Sequence, residues 1–405
     1  MTSKTAASQR LLSLDILRGL NIFVMLFVND LAGVFGAPAW MKHVSPPSAD
    51  GMTFVDVVFP AFLFIAGLSL PLALERRFSR GESKLDVARH IVVRTLTLLL
   101  IGVFMVNSES MSPGLLNPRL WTLLLYAGVC LIWISPSKTK SAAWRKIAGA
   151  GLLIALAFLY RGQGAPGLIE LRPHWWGILG LIGWAYLVAG LLYLFLRKNR
   201  LAFAGAIVLL YCLYLADGVH FFGDLFGVAR WIGIGSMLGS HAAVTASGAL
   251  LGLTLFPSTS DKARITSALL FAGVLGAAAI LLHTLHDIHP MFYYNKNAAT
   301  PPWCLLSSAW TALIWAGVYW LIEVQRFKPG TALLAAAGQN ALFAFILGPI
   351  AYTLFDLLPA LLGGFSPWER LGSSFATGLF RSLGFAVAAL WLTAFLQRRK
   401  LGLRI

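Results

Sequence analysis

Charge is what this 405-residue chain has least of. Only 12% of its residues are Asp, Glu, Lys or Arg, about half the fraction of an ordinary soluble domain, which excludes a water-facing globule wrapped around one core. Cysteine is nearly absent. Cys130, Cys212 and Cys304 are an odd number without a spacing pattern, so neither a disulfide framework nor a metal site is expected from them. Acidic residues are also scarce, 16 against 32 basic ones, for a net charge of +16. That surplus would suit a nucleic-acid binder if it formed one surface, but it falls in short clusters between apolar runs. Nucleic acid is therefore excluded as a partner.

Apolar residues are abundant: 58% of the chain, with a mean hydropathy of +0.76. Runs long enough to span a bilayer, about 20 residues, recur near 14–36, 53–75, 87–107, 119–135, 146–160, 175–196, 201–216, 236–256, 264–284, 303–324, 331–356 and 376–396. The chain reads as one all-α domain over 1–405, a polytopic transmembrane helical bundle of about twelve spans, with eleven as the alternative count. The 39 glycines suit close helix contacts inside such a bundle. The first run follows a short basic leader without a small-residue cleavage site, so it reads as an uncleaved helix.

Basic clusters orient the bundle. Arg76, Arg77, Arg80, Lys84 and Arg89, then Lys138, Lys140, Arg145 and Lys146, then Arg197, Lys198 and Arg200, and finally Arg398, Arg399 and Lys400 all fall on the same side once the spans alternate. The positive-inside bias makes that side, and both termini, cytoplasmic. A basic face of this kind attracts anionic lipid or an anionic cofactor. The longer connections lie on the opposite side and carry aromatic, His, Pro and Gly residues, as suits a covered vestibule. No internal repeat is evident, which weighs against a transporter built from inverted halves.

Polar residues inside apolar runs are the informative exceptions, because a charge there costs roughly 2.5–3.5 kcal/mol. In "SLDILRGLNIFVMLFVND", Asp15 and Arg18 share a helix face and can pair. Asn29 lies towards the far end of that helix. The second run opens "KHVSPPSADGMTFVDVVFPAFLFIAG", with His43 ahead of it and Asp56 about one turn inside. Asn29, His43 and Asp56 thus sit at similar depth on two adjacent helices and their connection. A carboxylate can hold an imidazole by accepting its Nδ1–H, leaving Nε2 as base or nucleophile. An amide can donate to a developing oxyanion. Each residue also has a structural explanation, such as helix–helix hydrogen bonding for a membrane asparagine. "HTLHDIH" (His283, His286, Asp287, His289) would fan its imidazoles too widely on a helix for one metal site and reads as a surface cluster.

The stretches "SLDILRGLNIFVMLFVND", "KH" and "GMTFVDVVFPAFLFIAG" resemble the signature of the heparan-α-glucosaminide N-acetyltransferase family. "RTLTLLLIGVFMVN", "GSMLGSHAAVTASGALLG", "NKNAATPPW" and "GQNALFAF" resemble it more weakly. In place of the family's short "H-A-x-W-x-G" this chain has the longer "HVSPPSADG". The resemblance implies acetyl transfer from cytosolic acetyl-CoA, without a metal, to an amino or hydroxyl group of a sugar or glycan across a membrane. For a bacterial relative that membrane is the cytoplasmic (inner) one. His43, Asn29 and Asp56 match the family's catalytic residues. Arg18, Arg76, Arg77, Arg94 and Asn340 are assigned to the cofactor, and Trp40, His241, Lys296 and Asn297 to the acceptor. Membrane lipid and the glycan are the expected partners, and homo-oligomerisation stays open. The rival function is a transporter or flippase of a small polar or lipid-linked sugar.

Overall fold

The structure is a computed structural model describing residues 11–134, 140–162, 167–173, 175–222, 232–258 and 260–403. Lys138, expected in a cytoplasmic cluster, lies outside the described residues. Among the described residues the only strand-like pairing is an isolated bridge between Ile134 and Leu403. Among the described residues ten helices are long and apolar enough to cross a membrane. In chain order the elements begin with α1 (Leu12–Leu31), α2 (Phe54–Phe78) and α3 (Lys84–Glu109). A shorter helix, α4 (Pro118–Trp133), follows, then α5 (Lys140–Leu159), α6 (Gly177–Leu196) and α7 (Arg200–Gly218). Next come α8 (Ile234–Leu255), α9 (Asp261–His283) and α10 (Pro301–Val324). The chain closes with α11 (Thr331–Gln339), α12 (Ala341–Phe355), two short turns and α15 (Phe375–Arg398), the turns being α13 (Leu358–Leu361) and α14 (Pro367–Leu371). The protein is a polytopic all-α membrane protein.

Sequence chemistry sets where the helices start. Thr53, Ser83, Asn117, Asn199, Ser260 and Ser374 each accept a backbone N–H of the following helix through a side-chain oxygen, satisfying donors that have no partner inside the helix. Pro118 and Pro301 occupy first helical positions, where a missing N–H is tolerated. The run expected as one span over 331–356 is instead two helices. Asn340 leaves helical geometry between them, at φ −122° and ψ 45°. Its side chain turns to the C-terminal segment, accepting Leu403 N–H at 3.0 Å and donating to Leu401 O at 3.4 Å.

Inside lipid the hydrophobic effect does not press helices together, so close backbone approach and polar contacts must. Helix α2 meets α8 through Gly67 and Gly248. A Cβ at Gly67 would lie 1.8 Å from Thr245 O, and one at Gly248 would lie 2.0 Å from Phe64 O. The far ends of α1 and α15 are tied by a buried ion pair. Arg381 Nε donates to Asp30 Oδ2 at 2.9 Å, and Ser382 Oγ donates to the same oxygen at 2.6 Å.

Helices α1 and α2 are antiparallel. At one end of the bundle Arg18 contacts Ser69 and α2 finishes with Arg76 and Arg77. At the other end residues 32–53 connect the two helices and carry His43. These are called the basic end and the histidine end below.

Candidate active site

The site grows out of the start of α2. Thr53 and Asp56 form a reciprocal cap on that helix. Thr53 Oγ1 accepts Val55 N–H at 3.2 Å, and Asp56 Oδ2 accepts Thr53 N–H at 3.0 Å. The same oxygen accepts Val44 N–H at 3.3 Å. This leaves Oδ1, which lies 2.6 Å from His43 Nδ1. Asp56 is only 2% exposed, so its charge is offset by these donors and by the positive end of the helix dipole. An ionised carboxylate only accepts, so His43 carries its proton on Nδ1 and keeps Nε2 as an acceptor. The histidine side chain is half-exposed, towards the mouth of the site.

Lys296 completes the cluster from the connection between α9 and α10. Its Nζ lies 3.0 Å from His43 Nδ1 and 3.7 Å from Asp56 Oδ1; with Nδ1–H given to Asp56, the ammonium hydrogens turn to the carboxylate and not to the ring. Burial pushes the lysine below its ordinary 10.5, and Asp56 draws it partly back. The two connections are clamped by side chains. Asp50 Oδ2 pairs with His283 Nε2 at 2.8 Å, and Asp50 Oδ1 accepts Tyr294 N–H at 2.7 Å. Asn295 donates to Pro47 O and Ala49 O at 2.8 and 2.9 Å, and Asn297 donates to Pro47 O at 2.9 Å. The loop holding His43 is thereby pinned to the loop holding Lys296.

An apolar cavity of about 470 Å³ starts beside Met52, Thr53 and Phe54 and runs between α1, α2 and α10. Phe54, Val58, Ala61 and Ile65 line it along one face of α2, about 16 Å at 1.5 Å per residue. Ser69 and Arg76 continue that face at helical spacing. On α1 the lining ends at Leu17, next to Arg18. The cavity thus extends from the histidine cluster towards the basic end. Asn21 sits midway, its Nδ2 donating to Val58 O at 3.1 Å.

The structure sorts the residues singled out by sequence. His43, Asp56 and Lys296 come together. Asn29 does not join them: it is exposed on α1 and its side chain makes no hydrogen bond among the described residues, whereas Asn21, eight positions earlier, reaches the cavity. Asn297 takes part in the loop clamp, and Asn340 holds the C-terminal segment. Trp40 is 62% exposed with its ring 5.8 Å from Phe54, at the cavity's outer edge. His241 is buried against Phe59 and Trp303. At the basic end Arg18 pairs with Asp15 at 3.1 Å, and Arg77 bonds Glu82 at 2.6 Å and His90 at 3.0 Å. Arg76 is half-buried near them. Arg94 lies 5.0 Å from the Tyr186 ring centre, and no carboxylate pairs with it among the described residues. In "HTLHDIH" the helix ends at His283, which stacks on His286 and Tyr294 and pairs with Asp50. Among the described residues no group could hold a metal ion. Sequence reasoning missed Asp30, Asp50 and Asn21. The signal for Asp30 was present: a carboxylate ending an apolar run needs a partner.

A helical membrane bundle with a carboxylate-held imidazole at one mouth, and an apolar cavity leading from it towards arginines, defines the class. Residues 10–219 match the family described as "Domain of unknown function (DUF5009)", and the chain belongs to that family. It is also similar to heparan-alpha-glucosaminide N-acetyltransferase of Mus musculus, 35% identical over 127 residues, which are 31% of this chain and 18% of that protein. The Homo sapiens protein of the same name is 34% identical over 125 residues, 31% of this chain and 17% of its own length. The match spans less than a fifth of either relative. It upholds the relationship expected from the N-terminal motifs.

Proposed function

We propose that this protein is a membrane acetyltransferase that moves an acetyl group from cytosolic acetyl-CoA to an amino or hydroxyl group of a sugar or glycan at the histidine end. The observation that carries this reading is the His43–Asp56–Lys296 cluster beside an apolar cavity directed at the arginines of the opposite end. The similarity to two proteins named as N-acetyltransferases supports the same class.

The division of labour follows from charge. Phosphates of the donor cannot enter lipid cheaply, so they stay at the basic end, where Arg76 and Arg94 offer positive charge. The donor's thioester arm lies along the cavity and presents its carbonyl near Thr53. The acceptor enters beside Trp40. With Nδ1–H held by Asp56, His43 Nε2 takes a proton from the attacking amine or hydroxyl. The new N–C or O–C bond forms as the C–S bond breaks, and the imidazolium returns the proton to the departing thiolate. Lys296 balances the Asp56 charge. Direct attack is favoured over an acetyl-histidine carrier because both substrates meet at one place.

The test is His43→Ala in purified full-length protein, given labelled acetyl-CoA and a panel of amino sugars and cell-wall fragments scored by mass. Transfer is expected to fall by about 10²–10⁴-fold with acetyl-CoA binding retained. Undiminished turnover overturns the assignment and turns the reading towards a transporter. Ping-pong kinetics with a trappable acetyl-histidine would replace direct attack by the covalent route.

A further inference from the structure

Several buried polar groups among the described residues have no hydrogen-bond partner, and three that lie near one another have no use in the reaction just described. His241 is 5% exposed, and neither ring nitrogen makes a hydrogen bond. Trp303 and Ser307 are fully buried on α10, and the indole Nε1 and the hydroxyl Oγ are likewise bare. Such atoms are expensive to leave unpaired inside a bundle, each by about 1–3 kcal/mol. Ser307 is the more telling because its neighbours behave otherwise. Ser308 Oγ donates to Cys304 O and Thr311 Oγ1 to Ser307 O, both at 2.8 Å, the usual refuge of a hydroxyl in a helix.

Their positions relate them to the cavity and to the cluster. Thr311 lines the cavity. Ser307 lies one turn along α10 from it, about 6 Å towards the histidine end, and Trp303 one turn further on the same face. The Trp303 and His241 rings meet edge-on with centres 6.4 Å apart. His241 also meets Phe59 edge-on at 5.3 Å, and Phe59 is one turn along α2 from Asp56. A second, separate observation concerns the backbone. His241 ends a π-helical stretch over Ile234–His241 at the start of α8, a wider winding that recurs at functional sites.

Two donors and an imidazole buried just beyond the lining of an apolar cavity suit one chemical partner, an uncharged acceptor oxygen. We propose that His241, Trp303 and Ser307 form a recess that receives a carbonyl oxygen from the thioester arm of the acetyl donor. This rests on the acetyl-transfer reading. The carbonyl is either that of the thioester, where the recess would stabilise the oxyanion that forms on attack, or an amide of the arm, where it would only hold the donor in register. The recess supplies the donors that exposed Asn29 does not.

The experiment measures acetyl-CoA and CoA affinity by calorimetry, together with turnover, for full-length wild type, Trp303→Phe, Ser307→Ala and His241→Gln. Thermal melting of each variant in the same detergent separates folding defects from function, and Ser307→Ala is the mildest change. Lost preference for acetyl-CoA over CoA, with turnover down on the order of 10²-fold, assigns the recess to the thioester. Equal loss of affinity for both ligands at unchanged maximal turnover assigns it to the amide. Folded variants with affinities and turnover like wild type overturn the recess and leave acetyl transfer standing. A wild type that binds neither ligand overturns the acetyl-transfer reading, and the recess falls with it.

Discussion

Thirteen positions separate His43 from Asp56, and of the two the carboxylate is the harder to keep. Its oxygens face Thr53 N–H, Val44 N–H and the imidazole rather than lipid, so one residue both starts α2 and fixes a tautomer. Lys296 is where titration should be visible. Its folded value lies below 10.5 because burial disfavours the ammonium. Between that value and 10.5 the unfolded chain binds more protons than the folded one, so stability at this position rises with pH. The melting temperature of wild type relative to Lys296→Met should therefore increase as pH climbs from neutral towards 10.5. A flat or falling difference would contradict the burial of this lysine. The sequence placed His43 and Asp56 near each other through their loop. It could not place Lys296, which comes from a loop 253 positions away.

At the scale of elements, the helices were readable and their contacts were not. Apolar runs and caps such as Thr53 and Ser83 announce where spans begin. The division of 331–356 at Asn340 depends on a C-terminal segment returning to Leu401 and Leu403, which no local pattern reveals. The contact of α2 with α8 has a sharper consequence. Gly248→Val would drive a side chain into the Phe64 carbonyl, and overpacking of this kind costs about 1–3 kcal/mol. A lowered melting temperature in detergent is expected, with Gly273→Val, where a Cβ meets nothing within 4 Å, as the control that melts like wild type. Equal melting of the two variants would show that α2 and α8 do not approach so closely.

For the whole molecule the central matter is sidedness. The basic end and the histidine end are opposite ends of the bundle, and the proposed function needs the first to face the cytoplasm, as the excess of Lys and Arg leads one to expect. In protein freed of Cys130, Cys212 and Cys304, a cysteine at Ser48 should react with an impermeant maleimide from outside intact cells. One at Ser79 should react only after the membrane is opened. The reverse pattern would invert the topology and place the donor and acceptor on the wrong faces. Composition, span periodicity and charge asymmetry determined by themselves that this is a helical membrane bundle with a polar cluster at one mouth. These properties are local or additive along the chain. Tertiary structure alone decided that Lys296 joins His43 and Asp56, that Asn21 rather than Asn29 reaches the cavity, and that His241, Trp303 and Ser307 are left bare. Each of those facts depends on which helix faces which, and in lipid that is settled by glycine contacts and scattered polar pairs, not by a pattern readable in any one run.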